Sequence, residues 1–331
     1  MEEKLIGRIP TINIKARNIA EGFYKATIAC YEQGIRIQTP KHHEGGSLGY
    51  DAHITVEVTH PNEEPMICTP GLHDDQQGLM IYILEVTHGI HNHWKKDPNN
   101  PNDTHWGYTY NERFAPQIPF VLARIKKDYK EKGRISGRDY YFIIWDPKQD
   151  VIIEQEDPPC FQNGQLRFVE HERDLYLNYL TMWRSRDDIK AWNENNIAQN
   201  RLHRLLAAKI SNMLEREVKV GSYIDTSDSL HIYGLYLDNN NYDRKIIRMR
   251  DEGLEKFCMS SKDYLDSVGG EKKLKRIIAA QEDAERKGHG EKTSQSQLIK
   301  LGYNLDTFEY PKDWDTWPKE WDVIPDKNKL F

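Results

Sequence analysis

Apolar residues recur at helical spacing through residues 16–33, at Ala16, Ile19, Ala20, Phe23, Tyr24 and Ile28, which predicts an amphipathic helix closed by Gly34. Residues 52–59 switch to a period of two and are rich in β-branched side chains, the pattern of a half-buried strand. Between them, residues 39–47 carry two adjacent glycines and read as a loop. Helical spacing returns over 77–91, with Leu79, Tyr82, Ile83 and Val86 on one stripe, and a polar insert rich in Asn and Pro follows. The apolar run 140–145, stopped by Asp146 and Pro147, reads as a buried strand. Further strands are expected at 166–169, 174–182 and across 218–236, with a long helix over 195–214 whose apolar stripe runs from Ile197 to Leu214. Strands packed on long helices, without strand-helix alternation or internal repeat, predict an α+β (mixed α/β) fold rather than a doubly wound one.

Near residue 250 the pattern changes to a charged helix around 271–286, a polar hinge at 288–297, and a tail rich in Trp and Pro. The expected organisation is therefore a main domain over 1–249 and a C-terminal extension over 250–331. The tail aromatics Phe308, Tyr310, Trp314, Trp317 and Trp321 are expected to lie across the body as a lid or brace.

With 331 residues, 38% of them apolar, the chain can bury a substantial core, and its eight Trp and eighteen Tyr exclude a disordered or low-complexity protein. The balance of 46 Lys and Arg against 52 Asp and Glu, a formal charge of -6, opposes a nucleic-acid coat, which needs a basic field. No apolar stretch approaches the roughly eighteen residues of a membrane span, and Met1-Glu2-Glu3-Lys4 does not begin a signal peptide, so a cytoplasmic protein without a membrane partner is expected. Cys30, Cys68, Cys160 and Cys258 are scattered without a C-x-x-C and are expected to be free thiols. His88, His91 and His93, with His73 and His105 in the neighbourhood, raise a metal site. There is no H-E-x-x-H, however, and Gly89 interrupts the helix, so surface or helix-end histidines and no metal are expected. The P-loop, G-x-S-x-G and G-x-G-x-x-G patterns are absent from the sequence.

Chemistry concentrates between residues 158 and 233. Pro158 and Pro159 restrict the chain just before Cys160, which suits a thiol presented at one angle. Arg184 and Ser185 set a guanidinium beside a hydroxyl, a pair able to hold a phosphate dianion and to lower a nearby thiol pKa. Asp187 and Asn195 offer polar contacts to a heterocycle, and His231 and Tyr233 follow.

Pro-Pro-Cys, then strands, then Arg-Ser-x-Asp with an Asn eight residues after the Asp, then His-x-Tyr, resembles the thymidylate synthase superfamily, which includes the dCMP and CMP hydroxymethylases. The resemblance spans roughly residues 105–236 in the family's order. It implies a large mixed sheet packed with long helices, dimeric through the sheet. It implies that Cys160 adds to C6 of a pyrimidine nucleoside monophosphate and that the resulting C5 enolate takes a one-carbon unit from 5,10-methylenetetrahydrofolate. Arg184 and Ser185 would bind the 5'-phosphate, helped by Arg138 from the second subunit of a homodimer. His231 and Tyr233 would hold the sugar hydroxyl, Asn195 the base edge, and Asp187 the folate. Tyr108 would assist removal of the C5 proton, and Glu85 best matches the family's acid-base glutamate. The loop at 41–47 sits where the family keeps a phosphate-closing loop, without its Arg-Thr-Gly signature.

Departures from the synthase pattern bear on the reaction. Asp139 stands where a second arginine should follow Arg138, Gly107 precedes Tyr108 rather than following it, and Phe161 follows Cys160 where synthases usually carry His. Trp192-Asn193-Glu194-Asn195 replaces a Leu-Pro-Phe-Asn run, and residues 325–331 do not resemble the apolar end that closes over a synthase's ligands. A methyl product requires water to be kept from the exocyclic methylene, whereas a hydroxymethyl product requires water there. The expected reaction is hydroxymethylation of CMP or dCMP. The alternatives are thymidylate synthesis from dUMP and a non-catalytic nucleotide-binding relative.

Overall fold

The computed structural model describes residues 7–38, 47–72, 77–96, 100, 105–152, 157–291 and 293–325. His73, nearly all of the loop expected at 41–47 and the terminal residues after Pro325 lie outside these.

The first strand, β1 (Thr11–Ala16), is followed by α1 (Ile19–Gln33). The predicted helix thus starts three residues later than Ala16, because Asn18 caps it by accepting from the Glu21 N–H at 3.0 Å, and Ala16 ends the strand instead. Next come β2 (Ile35–Ile37), β3 (Gly49–Val58), β4 (Ile67–Cys68) and α2 (Gly78–His88). Gly89 closes α2 in the left-handed conformation at φ 62°, so the helix stops before His91. The middle of the chain holds α3 (Tyr110–Phe114), α4 (Ile118–Lys132), β5 (Tyr141–Ile143) and α5 (Pro147–Asp150). A hairpin of β6 (Phe161–His171) and β7 (Asp174–Trp183) then leads through β8 (Arg186–Asp187) to α6 (Asn193–Leu214) and β9 (Val218–Ile232). The strand-like stretch ends at Ile232, where α7 (Gly234–Asn240) and α8 (Tyr242–Glu252) begin. The extension contains β10 (Cys258–Met259), α9 (Ser261–Ser267), α10 (Glu271–Arg286) and α11 (Gln295–Lys300).

The main sheet has the order β1-β3-β9-β7-β6-β5, with β2 beside β3 and β8 beside β9. It is mixed: β1 runs parallel to β3 and β7 parallel to β9, whereas β3–β9, β6–β7 and β5–β6 are antiparallel. This is the expected α+β arrangement of a large mixed sheet packed with long helices. In β7, Leu175, Leu177, Tyr179, Thr181 and Trp183 are buried while their alternates are not, so a period-two pattern defines the covered face. Helix α6 packs on β9 and against α2, placing Ile197, Leu202, Leu206 and Ile210 in one core with α1 and the sheet.

The extension lies against the body. Leu274, Ile278 and Ala279 of α10 pack with Met80 and Leu84 of α2 and with Trp314. Trp321 is buried in the main core, and Trp317 packs against it. Lys275, only 2% exposed, donates from Nζ to the Trp314 carbonyl at 3.0 Å and to Asp315 at 2.8 Å. These contacts make the tail a brace. Among the described residues no helix is long and apolar enough to cross a membrane.

Candidate active site

The turn that presents Cys160 is held from the neighbouring strand. The Arg184 N–H donates to the Cys160 carbonyl at 2.9 Å, and its guanidinium donates through Nε to Pro159 O at 3.1 Å and through Nη2 to Pro158 O at 2.5 Å. Gln162 Nε2 adds a bond to Pro159 O at 2.7 Å. A proline cannot donate from its backbone, so this segment carries carbonyls in excess, and Arg184 is the group that satisfies them. Burial pushes the half-buried Cys160 thiol up from its ordinary pKa, while Arg184 and Arg186 pull it back.

A cavity of about 690 Å³ is lined by Tyr82, Glu85, His91, Tyr108, Tyr110 and Asp157, among others. Cys160 lies within electrostatic reach of Asp157 and of all three of those tyrosines. Burial holds each tyrosine in its protonated form, as a hydrogen-bond donor rather than a base. Asn195, on the first turn of α6, donates from Nδ2 to Tyr82 OH at 2.7 Å, and Tyr82 in turn feels the charge of Glu85 one helical turn further along α2. Tyr233 stands 4.6 Å from His231 ring to ring, and its pKa is pushed up to about 12 by burial and then by Asp187 and Cys160. Glu85 and Tyr108 line the cavity and Asn195 bonds to Tyr82 of its wall; Cys160 and Arg184 are electrostatic neighbours of Tyr108 and of Tyr233, His231 lies against Tyr233, and Ser185 is half-buried.

Arg138 is placed apart from these residues, and Asp187 is already engaged by its own segment and by Tyr236. Arg138 is exposed on the loop before β5, in a surface groove shared with Arg124, Asp128 and Lys132, and its carbonyl accepts from Gln165 Nε2 at 2.7 Å. Nothing in this chain brings it to Cys160, and the adjacent Asp139 pairs with Arg124. Asp187 is engaged as a cap: Oδ1 accepts from the Ile189 and Lys190 N–H groups at 3.0 Å and Oδ2 from Tyr236 OH at 2.5 Å. Phe161, at the position of the expected histidine, is fully buried and stacks on Trp183 at 4.6 Å, so its ring belongs to the core and not to the cavity.

Beneath the site lies a polar network for which the sequence analysis assigned no role. Arg186, 2% exposed, lies 3.8 Å above the Trp183 ring and donates to Asp225 at 2.7 Å and to Asn196 at 3.3 Å. Tyr223 and Thr181 complete it, with Tyr223 OH donating to Asn196 at 2.6 Å and Thr181 Oγ1 to Asp225 at 2.9 Å. The available signal was the alternation of Tyr223, Asp225 and Ser227 on the buried face of β9, where apolar residues are the norm.

Hydrogen bonds to acidic side chains hold His91, His93 and His105 of the histidine cluster, and His88 is placed apart. His88 donates from Nε2 to the Asp313 carbonyl at 2.8 Å, away from the others. His91, 5% exposed and stacked on Trp94 at 3.6 Å, is held between Glu85 at 2.5 Å and Glu282 of α10 at 2.8 Å. The two carboxylates hold its pKa up at about 9 against the opposing effect of burial, so it is an imidazolium with both ring N–H groups donating. His93 and Trp94 both donate to Glu285, and His105 to Glu291. Ligand atoms of His93, Glu282 and Glu285 lie within 4.8 Å of one another; His91 donates to Glu282 Oε1 and His93 and Trp94 to Glu285 Oε1, while Glu285 Oε2 is buried without a hydrogen-bond partner among the described residues.

No protein-family profile matches the chain, and no curated protein matches it by sequence. In backbone trace it is similar to a thermostable thymidylate synthase A from Bacillus subtilis, at 16% identity and a TM-score of 0.47, over 69% of this chain and 84% of the other. It is also similar to thymidylate synthase from T4 phage, at 15% identity and a TM-score of 0.45, over 68% of this chain and 79% of the other.

Proposed function

We propose that the protein is a cytoplasmic, folate-dependent enzyme that transfers a one-carbon unit to C5 of a pyrimidine nucleoside monophosphate, and that the product is the 5-hydroxymethyl derivative of CMP or dCMP. The observation that carries this reading is the pairing of Cys160 with Arg184 beside a cavity walled by tyrosines and Glu85. A soft nucleophile next to a cation, near a concave site with donors and two carboxylates, suits conjugate addition to an electron-poor ring bearing an anionic ester.

In this mechanism the Cys160 sulfur bonds to C6, and the electron pair displaced from the C5–C6 bond makes C5 nucleophilic. The folate supplies the one-carbon unit. Glu85, lining the cavity, takes the C5 proton with Tyr108 as a neighbouring hydrogen-bond donor, and tetrahydrofolate leaves with the electron pair of its bond to the one-carbon unit, which gives an exocyclic methylene on the pyrimidine. Water adds to this methylene, and Cys160 leaves C6 as the ring double bond re-forms. Arg184 and Ser185 hold the phosphate, with Arg138 arriving from a second subunit. His231 and Tyr233 hold the sugar, Asn195 the base edge, and Asp187 the folate side. Dimerisation is proposed through the sheet face opposite the helices, where Thr55, Leu180, Ile224 and Thr226 are only partly covered. Residues 1–249 form the catalytic domain in this scheme, and residues 250–331 an extension packed on it.

Hydration of the site favours hydroxymethylation over methylation. The cavity wall carries charged and hydrogen-bonding groups, Glu85, His91 and Asp157, among its aromatic rings, and such groups can hold water there. The deciding experiment is mass spectrometry of products after incubation with CMP, dCMP, UMP or dUMP and 5,10-methylenetetrahydrofolate. A gain of CH2O on a cytosine nucleotide is expected. A gain of CH2 on dUMP would establish thymidylate synthesis instead, and no product from any of the four would leave a nucleotide-binding relative.

A further inference from the structure

The small sheet of β4 and β10 sets two cysteines opposite each other, away from the chemistry proposed for Cys160. Cys68 and Cys258 are register partners in this antiparallel pair. The N–H of Thr69, one residue after Cys68, donates to the carbonyl of Phe257, one residue before Cys258, at 2.7 Å. A bond with that offset makes Cys68–Cys258 a non-hydrogen-bonded pair, in which Cα atoms stand about 4.5 Å apart and the two side chains leave the same face. Disulfides span Cα separations of about 4.4–6.8 Å, so the backbone is already within bridging range.

The side chains pack together, although Cys258 Sγ donates to the Glu255 carbonyl at 3.6 Å, a contact that bridging would replace. Cys68 is buried in the main core and Cys258 packs against that same core. The Cys68 thiol is raised first by burial and next by the Cys258 sulfur, which marks the two as electrostatic neighbours. The remaining buried cysteine, Cys30, is committed elsewhere, donating from Sγ to Leu230 O at 3.3 Å. Cys258 is half-buried and is the sulfur a small reagent meets first.

We propose that Cys68 and Cys258 are a latent disulfide, closed by a low-molecular-weight disulfide such as oxidised glutathione, that fastens the C-terminal extension to the body. The Cys258 thiolate attacks one sulfur of the oxidant, and one glutathione thiolate leaves. The Cys68 thiolate then attacks the Cys258 sulfur of the mixed disulfide, and the second glutathione thiolate leaves. Two protein thiols are oxidised, one oxidant disulfide is reduced to two thiols, and the two protons released by the protein thiols are taken up by the glutathione thiolates or by solvent. Burial keeps both protein sulfurs protonated at neutral pH, so the exchange accelerates as pH rises. The bridge would secure the chain just ahead of α9 and thus upstream of α10, which carries Glu282, and long closed loops are those in which a cross-link most restricts the unfolded chain.

The test is proteolytic mass mapping, without reductant, of the full chain incubated with oxidised glutathione at about pH 8.5, near the unperturbed thiol pKa. The expected product joins the Cys68 and Cys258 peptides with the loss of two hydrogens, and dithiothreitol reverses it. Oxidation is expected to raise the thermal unfolding midpoint of the wild type. In Cys258→Ser, whose altered side chain is half-exposed, neither the bridge nor the rise should form. A glutathione adduct that persists on Cys258 beside a free Cys68 would overturn the proposal. So would a bridge from either cysteine to Cys30 or Cys160, or two thiols unchanged after prolonged oxidation.

Discussion

His91 donates from Nε2 to Glu282 at 2.8 Å, joining the turn after α2 to a helix of the C-terminal extension. Its other ring nitrogen donates to Glu85 at 2.5 Å, so one imidazolium fixes a carboxylate that lines the cavity to a carboxylate of the C-terminal extension. The extension therefore does more than brace the body: α10 supplies part of the support for the cavity wall.

Glu282→Gln leaves the buried His91 with one anionic partner. Breaking a buried charged pair costs more than losing a surface one, and a loss of about 2–3 kcal/mol in unfolding free energy is expected. Urea denaturation measures it, and an NMR titration should show the His91 pKa moving down towards its ordinary value. An unchanged midpoint together with an unchanged titration would refute the bridging role.

The pH dependence follows from the same residue. The folded pKa of His91, about 9, lies above its ordinary 6.5, so the folded state holds the proton more tightly. The stabilisation is fully present below about pH 6.5 and is lost as pH rises through about 9, amounting to about 3 kcal/mol. Stability measured across that window should fall in the wild type, and this limb should be missing from His91→Gln.

Asp188 has the same sign for a different reason. It is fully buried, and burial pushes its carboxyl up to about 8 against the pull of Thr27 and Arg186. The folded state thus keeps a proton that the unfolded chain releases above about pH 4, and stability declines as pH climbs from there towards 8. Asp188→Asn should remove that decline and raise stability by more than about 1 kcal/mol at alkaline pH, with little change in acid. Paired urea titrations at the two ends of the range decide it.

Arg186 and Asp225 are paired at 2.7 Å with side chains 1% and 0% exposed. Asp225→Ala leaves the guanidinium buried without its counter-charge, and a destabilisation of about 3–5 kcal/mol is expected. Replacing both, as Arg186→Met with Asp225→Leu, should be less harmful than the single change. A double variant worse than the sum of its parts would contradict this.

Cys160→Ser should abolish tritium release from C5-labelled nucleotide while far-ultraviolet circular dichroism stays unchanged, since an alcohol is a far weaker nucleophile than a thiolate. In the wild type the release rate should rise with pH, because burial keeps the resting thiol protonated. Undiminished release from the serine variant would remove Cys160 from the chemistry.

Much of the fold was legible because it rests on local periodicity. The stripe of α6 and the alternation of β3 and β7 identify those elements on their own. Strand β1 was missed: Ile12 and Ile14 are only partly buried, and the hydrogen bonds that define it come from β3, far along the chain. The convergence of Cys160 with Arg184 was foreseeable from motif order. The pinning of the Pro-Pro turn by the Arg184 guanidinium was not, because it depends on β6 and β7 pairing across the Phe161–Trp183 end of the hairpin.

What the amino-acid order determined alone was whatever depends on neighbours in the chain: helical stripes, alternating strands, the stop at Gly89 and the restricted turn before Cys160. Tertiary structure decided which charges meet. His91 reads as a helix-end histidine until α10 packs against α2 and sets Glu282 beside it. Arg186 has no evident partner in the sequence, and only when the sheet closes over it does Asp225 compensate its charge. Ion pairs and cavities are set by distance in space, and that distance exists only once the helices have docked on the sheet.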